Sequence, residues 1–325
     1  MVRSFDEMIT EAKKCSPKTV AVAVAQDGEV LEAARTCQET GIARAILIGD
    51  ALEINRIACE RKIDIGNFEV LNEPEQEGAV RRAVLLCHTG KADILLKGAV
   101  HSPMVLKNVL DKNIGLRIGL TLSHVSVFES PSYDRLMLMT DAGLNIMPTF
   151  EQKVDMIKNA VSVASSLSID TPKVAVIAGQ ELVNPDMPSS VDAALLAKMG
   201  ERGQIKNCVI DGPLSLDLAL SKESARAKGV AGPVAGQADI LVLANIDAAN
   251  ALYKALVFLG KAKITGVVVG AKVPVIITSR ADSHETKMAS VALSVLMTSK
   301  DTREARDENT AEKGKKMTTD TLKVV

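Results

Sequence analysis

Four residues that could act on an anion follow the last strand-like run of the sequence. The apolar segment 273–278 is followed by Ser279 and Arg280, and then by Asp282 and Glu285, where a helix is expected to begin. An arginine fork beside the N–H groups of a helix N-terminus suits an oxyanion or a phosphate group. The same spacing also fits Asp282 as a helix N-cap with Glu285 as its capping-box partner. Both interpretations remain open at this point.

Polar residues also follow two other strand-like segments. Lys97 and Gly98 end one of them, and Asp141 and Asn145 come after another. Ligands of α/β sheets bind beyond the carboxyl ends of the strands, so these four positions are candidates for substrate binding. By spacing alone a solvated Lys97 is favoured over a phosphate contact, and Asp141 and Asn145 are turn-forming residues by default.

The composition excludes several classes of protein. The 325 residues carry 39 Lys+Arg against 40 Asp+Glu and contain five Phe, two Tyr and no Trp. Without a positive field or aromatic side chains for base stacking, nucleic acid is not an expected partner. The histidines, at 88, 101, 124 and 284, lack metal-ligand spacing, and His284 is predicted to be a surface bystander. Dinucleotide and phosphate-loop signatures are also missing from the sequence, so we expect neither a metal nor a permanently bound cofactor.

The cysteines and the N-terminus predict a cytoplasmic protein. The five cysteines, at 15, 37, 59, 87 and 208, form no C-x-x-C pair and are expected to be reduced and buried. The first 16 residues include Asp6, Glu7 and Glu11, which does not fit a secretory signal. The longest apolar runs, such as 20–25, reach about a third of the roughly 18 residues that a membrane span needs. We therefore expect no membrane association.

Short β-branched runs alternate with longer helical patterns along the chain, which predicts doubly wound α/β sheets. Caps or prolines mark three helix starts: Ser102 with Pro103, Pro148 with Thr149, and Asp247 as a cap. Most strand-like runs are apolar throughout, as in parallel sheets that are covered on both faces. The predicted strands are residues 19–25, 44–48, 93–96, 120–128, 135–139, 173–178, 207–210, 239–243, 266–269 and 273–278.

Several stretches give the sequence a family resemblance. They are ADILLKGAVHSPMVLK, TDAGLNIMPTFEQK, DGPLSLDLALSKESA and the segment 229–287, which contains ANIDAANALYK and SRADSHETK. Together they resemble the phosphate acyltransferase family, which includes phosphate acetyltransferases and phosphate butyryltransferases. The resemblance implies transfer of an acyl group between coenzyme A and inorganic phosphate by a homodimer or a larger homo-oligomer.

The resemblance also implies a fold of two α/β domains with the active site in the cleft between them, similar to isocitrate and isopropylmalate dehydrogenases. In that fold the C-terminal segment completes the first domain. We therefore expect a discontinuous first domain of residues 1–130 plus 268–299, a second domain of residues 131–267, and a crossing at the turn-rich stretch 128–135. Residues 300–325 are rich in charge and are expected to form a disordered tail.

Carried over by position, the Ser and Arg pair of the family falls on Ser279 and Arg280, which would assist the carbonyl and the phosphate. Acetyltransferase members have an aspartate seven residues after the serine that acts on the thiol, whereas this chain has Thr286 there. The stretch SRADSHE is similar to the butyryl-type members. The resemblance therefore implies that Asp282 or Glu285 serves as the base, or that the thiol is activated in another way.

A second segment of the family commonly reads P-N-[IL]-E-A-G-N and corresponds to the residues from Ala244 to Asn250. Ala249 stands where the family has glycine, and it adds a methyl group where a ligand or backbone could approach closely. Within and just after this segment, the resemblance implies that Asn245, Asn250 and Lys254 bind substrate.

The sequence therefore predicts a phosphate acyltransferase that converts acyl-CoA and phosphate reversibly to acyl phosphate and coenzyme A. Butyryl-CoA or a similar short-chain thioester is the expected substrate, and coenzyme A is a substrate or product, not a resident cofactor. The alternatives are a phosphate acetyltransferase and a non-catalytic acyl-CoA-binding module of the same fold, the latter suggested by Ala244 and Ala249. A decarboxylating dehydrogenase is disfavoured, because the sequence lacks clustered metal-binding aspartates and a dinucleotide fingerprint.

Overall fold

The residues described by the structure, a computed structural model, are 1–279 and 282–298. Their contacts separate into two units. The central unit comprises Met1–Glu7 and Thr121–Val269, and the flanking unit comprises Met8–Leu120 together with the described residues from Gly270 onward. Strands and helices alternate in both units, which confirms the predicted α/β class.

The domain limits drawn from the sequence, 1–130 plus 268–299 and 131–267, stay a prediction about folding domains. The predicted tail, 300–325, lies outside the described residues. Within the described part, no helix combines the length and apolar character needed to cross a membrane. The cysteines are unpaired thiols; Cys37 and Cys87 are buried as expected, whereas Cys15 and Cys208 are only partly buried and Cys59 is exposed.

The strands are numbered in chain order. They are β1 (Lys18–Ala23), β2 (Ala43–Gly49), β3 (Glu69–Asn72), β4 (Ile94–Lys97), β5 (Ser123–Glu129), β6 (Met137–Thr140), β7 (Lys173–Ile177), β8 (Val209–Leu214), β9 (Ile240–Val242), β10 (Lys263–Val269) and β11 (Val275–Ile276).

The helices are numbered in the same way. They are α1 (Phe5–Lys14), α2 (Gly28–Glu39), α3 (Ala51–Arg61), α4 (Gln76–His88), α5 (Ser102–Val109), α6 (Phe150–Ser166), α7 (Pro188–Glu201), α8 (Leu216–Leu220), α9 (Lys222–Ala227), α10 (Ile246–Phe258) and α11 (His284–Met297).

The strands of the flanking unit are parallel and follow the order β3-β2-β1-β4-β11. β4 is buried along its whole length, and β11 pairs with it so that Ile276 lies opposite Leu96. α11 packs against α2 and β4. Because β4 and β11 run in the same direction, Lys97 at the end of β4 and Ser279 just after β11 emerge at the same edge of the sheet.

The central unit mixes two strand directions, in the order β10-β5-β6-β9-β7-β8. β10, β5 and β6 are antiparallel neighbours, whereas β6, β9, β7 and β8 are parallel. Its core is a cluster that includes Phe128, Leu241 and Ala249, and the Phe128 ring meets Tyr253 edge to face with centroids 6.1 Å apart. The parallel pairing of β6 with β9 places their carboxyl ends side by side.

The helix starts confirm one of the three predicted caps. Thr149 caps α6 in a full capping box with Gln152. The prediction for Asp247 is wrong, because Asn245 caps α10 and Asp247 lies in the first turn, where a carboxylate suits the helix dipole. Ser102 also lies inside α5, whose N-cap position is held by His101 without a side-chain hydrogen bond.

Candidate active site

Ser279 and Asp282 are joined by a short contact just beyond β11. The backbone N–H of Ser279 donates to Asp282 Oδ2 at 2.7 Å. Ser279 is exposed and Asp282 is half-buried. Arg280, between them in the chain, lies outside the described residues. The hydrogen bond holds Asp282 close to Ser279 just before α11 begins.

The start of α11 excludes Asp282 as the N-cap of this helix. The N-cap is Ser283, whose hydroxyl accepts the N–H of Thr286 at 3.4 Å. Asp282 is therefore not the cap, because its carboxylate turns back to Ser279. A hydrogen bond from the Ser283 side chain is the main cause that lowers the pKa of Glu285. A lowered pKa makes Glu285 a weaker proton acceptor.

His284, predicted to be a bystander, contacts two carboxylates. Its backbone N–H donates to Glu29 Oε2 at 3.0 Å, and its Nδ1 lies 3.4 Å from the same oxygen. Its Nε2 lies 3.3 Å from Glu285 Oε1. The other Glu29 oxygen pairs with Arg61 at 2.9 Å, and this bond is the main cause that lowers the pKa of Glu29. Glu29 is thus a carboxylate that ties α2 and Arg61 to the first turn of α11.

Lys97 is buried, with 4% of its surface exposed, so the expectation of a solvated side chain is wrong. Its Nζ donates to the carbonyl oxygens of Gly98 and Val100, each at 3.2 Å. Gly98 permits this turn because a Cβ there would lie 2.1 Å from the Val24 carbonyl oxygen, and any side chain would clash. A fixed cation therefore stands at the carboxyl end of β4.

A second buried cation, Lys287, was not singled out from the sequence. Only 1% of its surface is exposed, and its Nζ donates to the backbone carbonyl of Asp282. Its burial could have been inferred from helical periodicity. Lys287 lies one helical turn before Val291 and two before Val295, so it shares a face of α11 with these buried residues. Lys287 thus fixes the backbone of Asp282, and the Asp282 carboxylate in turn fixes Ser279.

In the central unit, Asp141 and Asn145 form the turn that follows β6. Asp141 is buried, and its Oδ1 accepts the N–H groups of Gly143 and Leu144 at 2.8 and 3.0 Å. Asn145 Nδ2 donates to Asp141 Oδ2 at 2.6 Å and to the Leu122 carbonyl at 2.8 Å. The turn-forming behaviour expected from the sequence is present, and these contacts hold the turn in one conformation.

The start of α10 lies beside this turn. Asn245 Oδ1 accepts the N–H of Ala248 at 2.9 Å, and Asn250 Nδ2 donates to the Ala142 carbonyl at 3.1 Å. Lys254, one turn further along, is exposed, with its Nζ 5.2 Å from the centroid of the Tyr253 ring. The pairing of β6 with β9 thus brings together Asp141, Asn145, Asn245 and Asn250, because their loops follow adjacent strand ends.

Ala249, which replaces a family glycine, is fully buried in the apolar core of the central unit. Its methyl group packs against protein atoms and does not face solvent. The substitution therefore adds to the core and does not place a methyl group on the exposed face of α10.

The predicted site residues fall into two groups, one in each unit. Ser279, Asp282, Glu285, Lys97 and Gly98 belong to the flanking unit, and Asp141, Asn145, Asn245, Asn250 and Lys254 belong to the central unit. In the part of the chain that the structure describes, no three His, Cys, Asp or Glu side chains are grouped to hold a metal ion. The flanking group combines fixed cations, an exposed hydroxyl and carboxylates, a set suited to anions and to proton transfer.

Comparison with known proteins decides the family. The family model described as Phosphate acetyl/butaryl transferase matches residues 4–81 and 76–295. The phosphate butyryltransferase of Clostridium acetobutylicum is 51% identical over 297 residues, which cover 91% of this chain and 99% of that protein. The chain belongs to the phosphate acetyl/butyryl transferase family. The resemblance seen in the sequence and the predicted acyltransferase class are therefore confirmed.

Two further members of the family support this assignment. The phosphate acetyltransferase of Thermotoga maritima is 46% identical over 292 residues, covering 90% of this chain and 99% of that protein. A solved branched-chain phosphotransacylase from Enterococcus faecalis V583 matches with a TM-score of 0.77 at 34% identity, covering 86% of this chain and 99% of the other. The similarity thus extends from sequence to fold and covers nearly the whole length of both relatives.

Proposed function

We propose that the protein transfers an acyl group reversibly between coenzyme A and inorganic phosphate, with butyryl-CoA or a similar short-chain thioester as its substrate. The observation that carries this proposal is the exposed Ser279 held by Asp282, in a stretch that the family model covers. The relative with 51% identity, a phosphate butyryltransferase, supports the butyryl-type substrate.

In the direction of acyl phosphate, a phosphate oxygen attacks the thioester carbonyl, and the C–S bond breaks as the tetrahedral intermediate collapses. The thiolate of coenzyme A leaves and takes up a proton. In the reverse direction, a base removes the thiol proton, and the thiolate attacks the acyl phosphate and expels phosphate. Arg280 holds the phosphate in both directions. The Ser279 hydroxyl donates to the carbonyl oxygen, because the Ser279 N–H is already bonded to Asp282.

Asp282 is the base in this proposal, and Glu285 shapes the first turn of α11. The two carboxylates were equal candidates in the sequence. Asp282 is chosen because its carboxylate contacts Ser279 directly, whereas the Glu285 carboxylate lies 3.3 Å from His284 within the first turn of α11. Lys287 Nζ donates a hydrogen bond to the backbone carbonyl of Asp282 and so helps to hold that residue in place.

The remaining candidates bind substrate. Lys97 and Gly98 contribute a buried positive charge and a close backbone approach at the carboxyl end of β4. Asn245, Asn250 and the exposed Lys254 contact coenzyme A, and the turn of Asp141 and Asn145 supports them through the Ala142 carbonyl. No resident cofactor takes part, and coenzyme A enters and leaves as substrate or product.

We also propose that the protein works in the cytoplasm as a homodimer or larger homo-oligomer, without a nucleic-acid or membrane partner. The unpaired cysteines support a reducing compartment. Sedimentation of the purified protein checks the assembly, and a monomer at micromolar concentration contradicts it.

The test of function is free-thiol release from butyryl-CoA with and without phosphate. Release that requires phosphate supports the transferase, whereas binding of butyryl-CoA without turnover supports a non-catalytic acyl-CoA-binding module. A rate series over acetyl-, propionyl-, butyryl- and branched acyl-CoA then addresses the second candidate, a phosphate acetyltransferase, which the Thermotoga relative favours. Ser279→Ala and Arg280→Ala should each lose about a hundredfold to a thousandfold in rate while folding normally.

A further inference from the structure

Glu29 occupies an unusual position at the first turn of α11. Glu29 lies in the first turn of α2 but does not cap that helix. The N-cap is Asp27, whose Oδ1 accepts the Val30 N–H at 3.0 Å. Instead, Glu29 Oε2 accepts the first N–H of α11, that of His284, at 3.0 Å. A carboxylate from a neighbouring helix thus caps the helix that follows Ser279.

The other first-turn N–H groups of α11 are also occupied by the chain itself. Ser283 Oγ accepts the N–H of Thr286, and the Glu285 carboxylate accepts its own N–H. A helix N-terminus attracts negative charge, and here that charge is supplied by Glu29 and Glu285. Glu29 and Glu285 therefore place two carboxylates at the first turn of α11, which begins five residues after Ser279 in the chain.

Arg61 offsets this negative charge. Its guanidinium pairs with Glu29 Oε1 at 2.9 Å, from the C-terminal end of α3. Both side chains are open to solvent and line a cavity of about 410 Å³ together with Gln26 and Glu60. The pair is a surface contact, so either partner can be replaced without opening the core.

We propose that Glu29 and Arg61 are positioning residues of the acyl-transfer site: Glu29 holds the first turn of α11 and repels the substrate phosphate, and Arg61 cancels part of that repulsion. This inference rests on the proposed function, because the phosphate is the substrate assigned there. It makes a distinctive claim, namely that the two partners of one ion pair act on phosphate affinity with opposite signs.

Glu29→Gln and Arg61→Gln test this claim. Both variants break the same ion pair, so a merely structural role moves both proteins in the same direction. Under the proposal, the phosphate KM of Glu29→Gln falls by about two- to fivefold and that of Arg61→Gln rises by a similar factor, as expected for partly exposed charges. The KM for butyryl-CoA stays within about twofold in both. Glu29→Ala, which also loses the hydrogen bond to His284, lowers kcat in addition.

Glu77→Gln is the matched control, because Glu77 pairs with Lys107 at 2.8 Å between α4 and α5 of the same unit. It should leave both KM values unchanged. Calorimetric titration of inorganic phosphate provides a readout that needs no turnover. Equal phosphate affinities in wild type, Glu29→Gln and Arg61→Gln, or shifts of the same sign in both variants, overturn the inference. Absence of turnover in a wild-type protein whose two variants still shift phosphate affinity in opposite directions overturns the proposed function alone.

Discussion

The backbone N–H of Ser279 is bound by the carboxylate of Asp282 at 2.7 Å. This contact sets the distance between the proposed base and the residue that is proposed to stabilise the oxyanion. The Lys287 ammonium, almost fully buried, holds the backbone of Asp282 in turn. The contact of Lys287 with Asp282 and that of Asp282 with Ser279 therefore link the exposed serine to the buried side of α11.

The first prediction separates the chemical role of Asp282 from its structural one. Asp282→Asn keeps an oxygen that can accept the Ser279 N–H, but it removes the base. We expect its rate with acyl phosphate and coenzyme A to fall by about a hundredfold or more. The remaining rate should rise with pH up to about 8.5, because only thiolate already present in solution can then react.

Glu285→Gln provides the comparison for this variant. Since the pKa of Glu285 is already lowered, we expect less than about a tenfold change in rate and an unchanged pH profile. Steady-state assays from pH 6 to 9 measure both variants. A larger loss in Glu285→Gln than in Asp282→Asn assigns the base to Glu285 instead.

The second prediction concerns Lys97 at the end of β4. Lys97→Met removes a buried ammonium together with its hydrogen bonds to Gly98 and Val100. We expect a loss of about 1 to 3 kcal/mol in the free energy of unfolding, together with a higher KM for phosphate. Denaturant unfolding and steady-state kinetics measure the two effects.

Lys254→Met is the exposed counterpart of that variant. Its side chain reaches only the face of the Tyr253 ring among the contacts described, so thermal unfolding should not change. Its KM for coenzyme A should rise, most strongly at low salt.

A Lys97→Met protein with wild-type stability and a wild-type KM for phosphate contradicts the role given to the buried Lys97.

The third prediction reverses a departure from the family. Ala249→Gly restores the family glycine in α10, but it removes a buried methyl group from the core and weakens the helix. We expect a destabilisation of about 1 to 2 kcal/mol and no gain in affinity for coenzyme A. Unfolding curves and the KM for coenzyme A test this, and a severalfold lower KM shows that the methyl group obstructs the ligand.

The fourth prediction ranks the thiols. Burial raises the pKa of Cys37 and Cys87 to about 12 and that of Cys208 to about 11, and it also raises the pKa of the partly buried Cys15, whereas Cys59 is exposed. The thiolate is the reactive form, so a disulfide reagent at pH 8 should modify one cysteine rapidly in the native protein. Cys59→Ser should abolish that rapid phase. A second rapid thiol in this variant means that one of the other cysteines, Cys15, Cys37, Cys87 or Cys208, is accessible, which contradicts the ranking.

The order of strands and helices was predictable because apolar runs and helical periodicity report burial directly. β4 was found from its continuous apolar run, and α6 from its Thr149 cap. β3 was missed because Glu69–Asn72 is short, partly exposed and polar at both ends, and it is a strand only through its pairing with β2.

The surroundings of single side chains were less predictable. Spacing favoured a solvated Lys97, but β1 and β11 enclose the end of β4 from both sides. Spacing also allowed Asp282 as the N-cap of the last helix, but Ser283 holds that position and the Asp282 carboxylate contacts Ser279 instead. These outcomes depend on which elements become neighbours in space, which local sequence does not encode.

The placement of β11 has a consequence for synthesis on the ribosome. β11 completes the sheet of the flanking unit next to β4, yet the whole stretch Thr121–Val269 is translated between them. Until residue 276 has emerged, β4 has no partner on that side and exposes an unpaired edge that favours aggregation. Nascent chains that stall after β10 are therefore expected to need chaperone protection, even though nearly all of the central unit has been made.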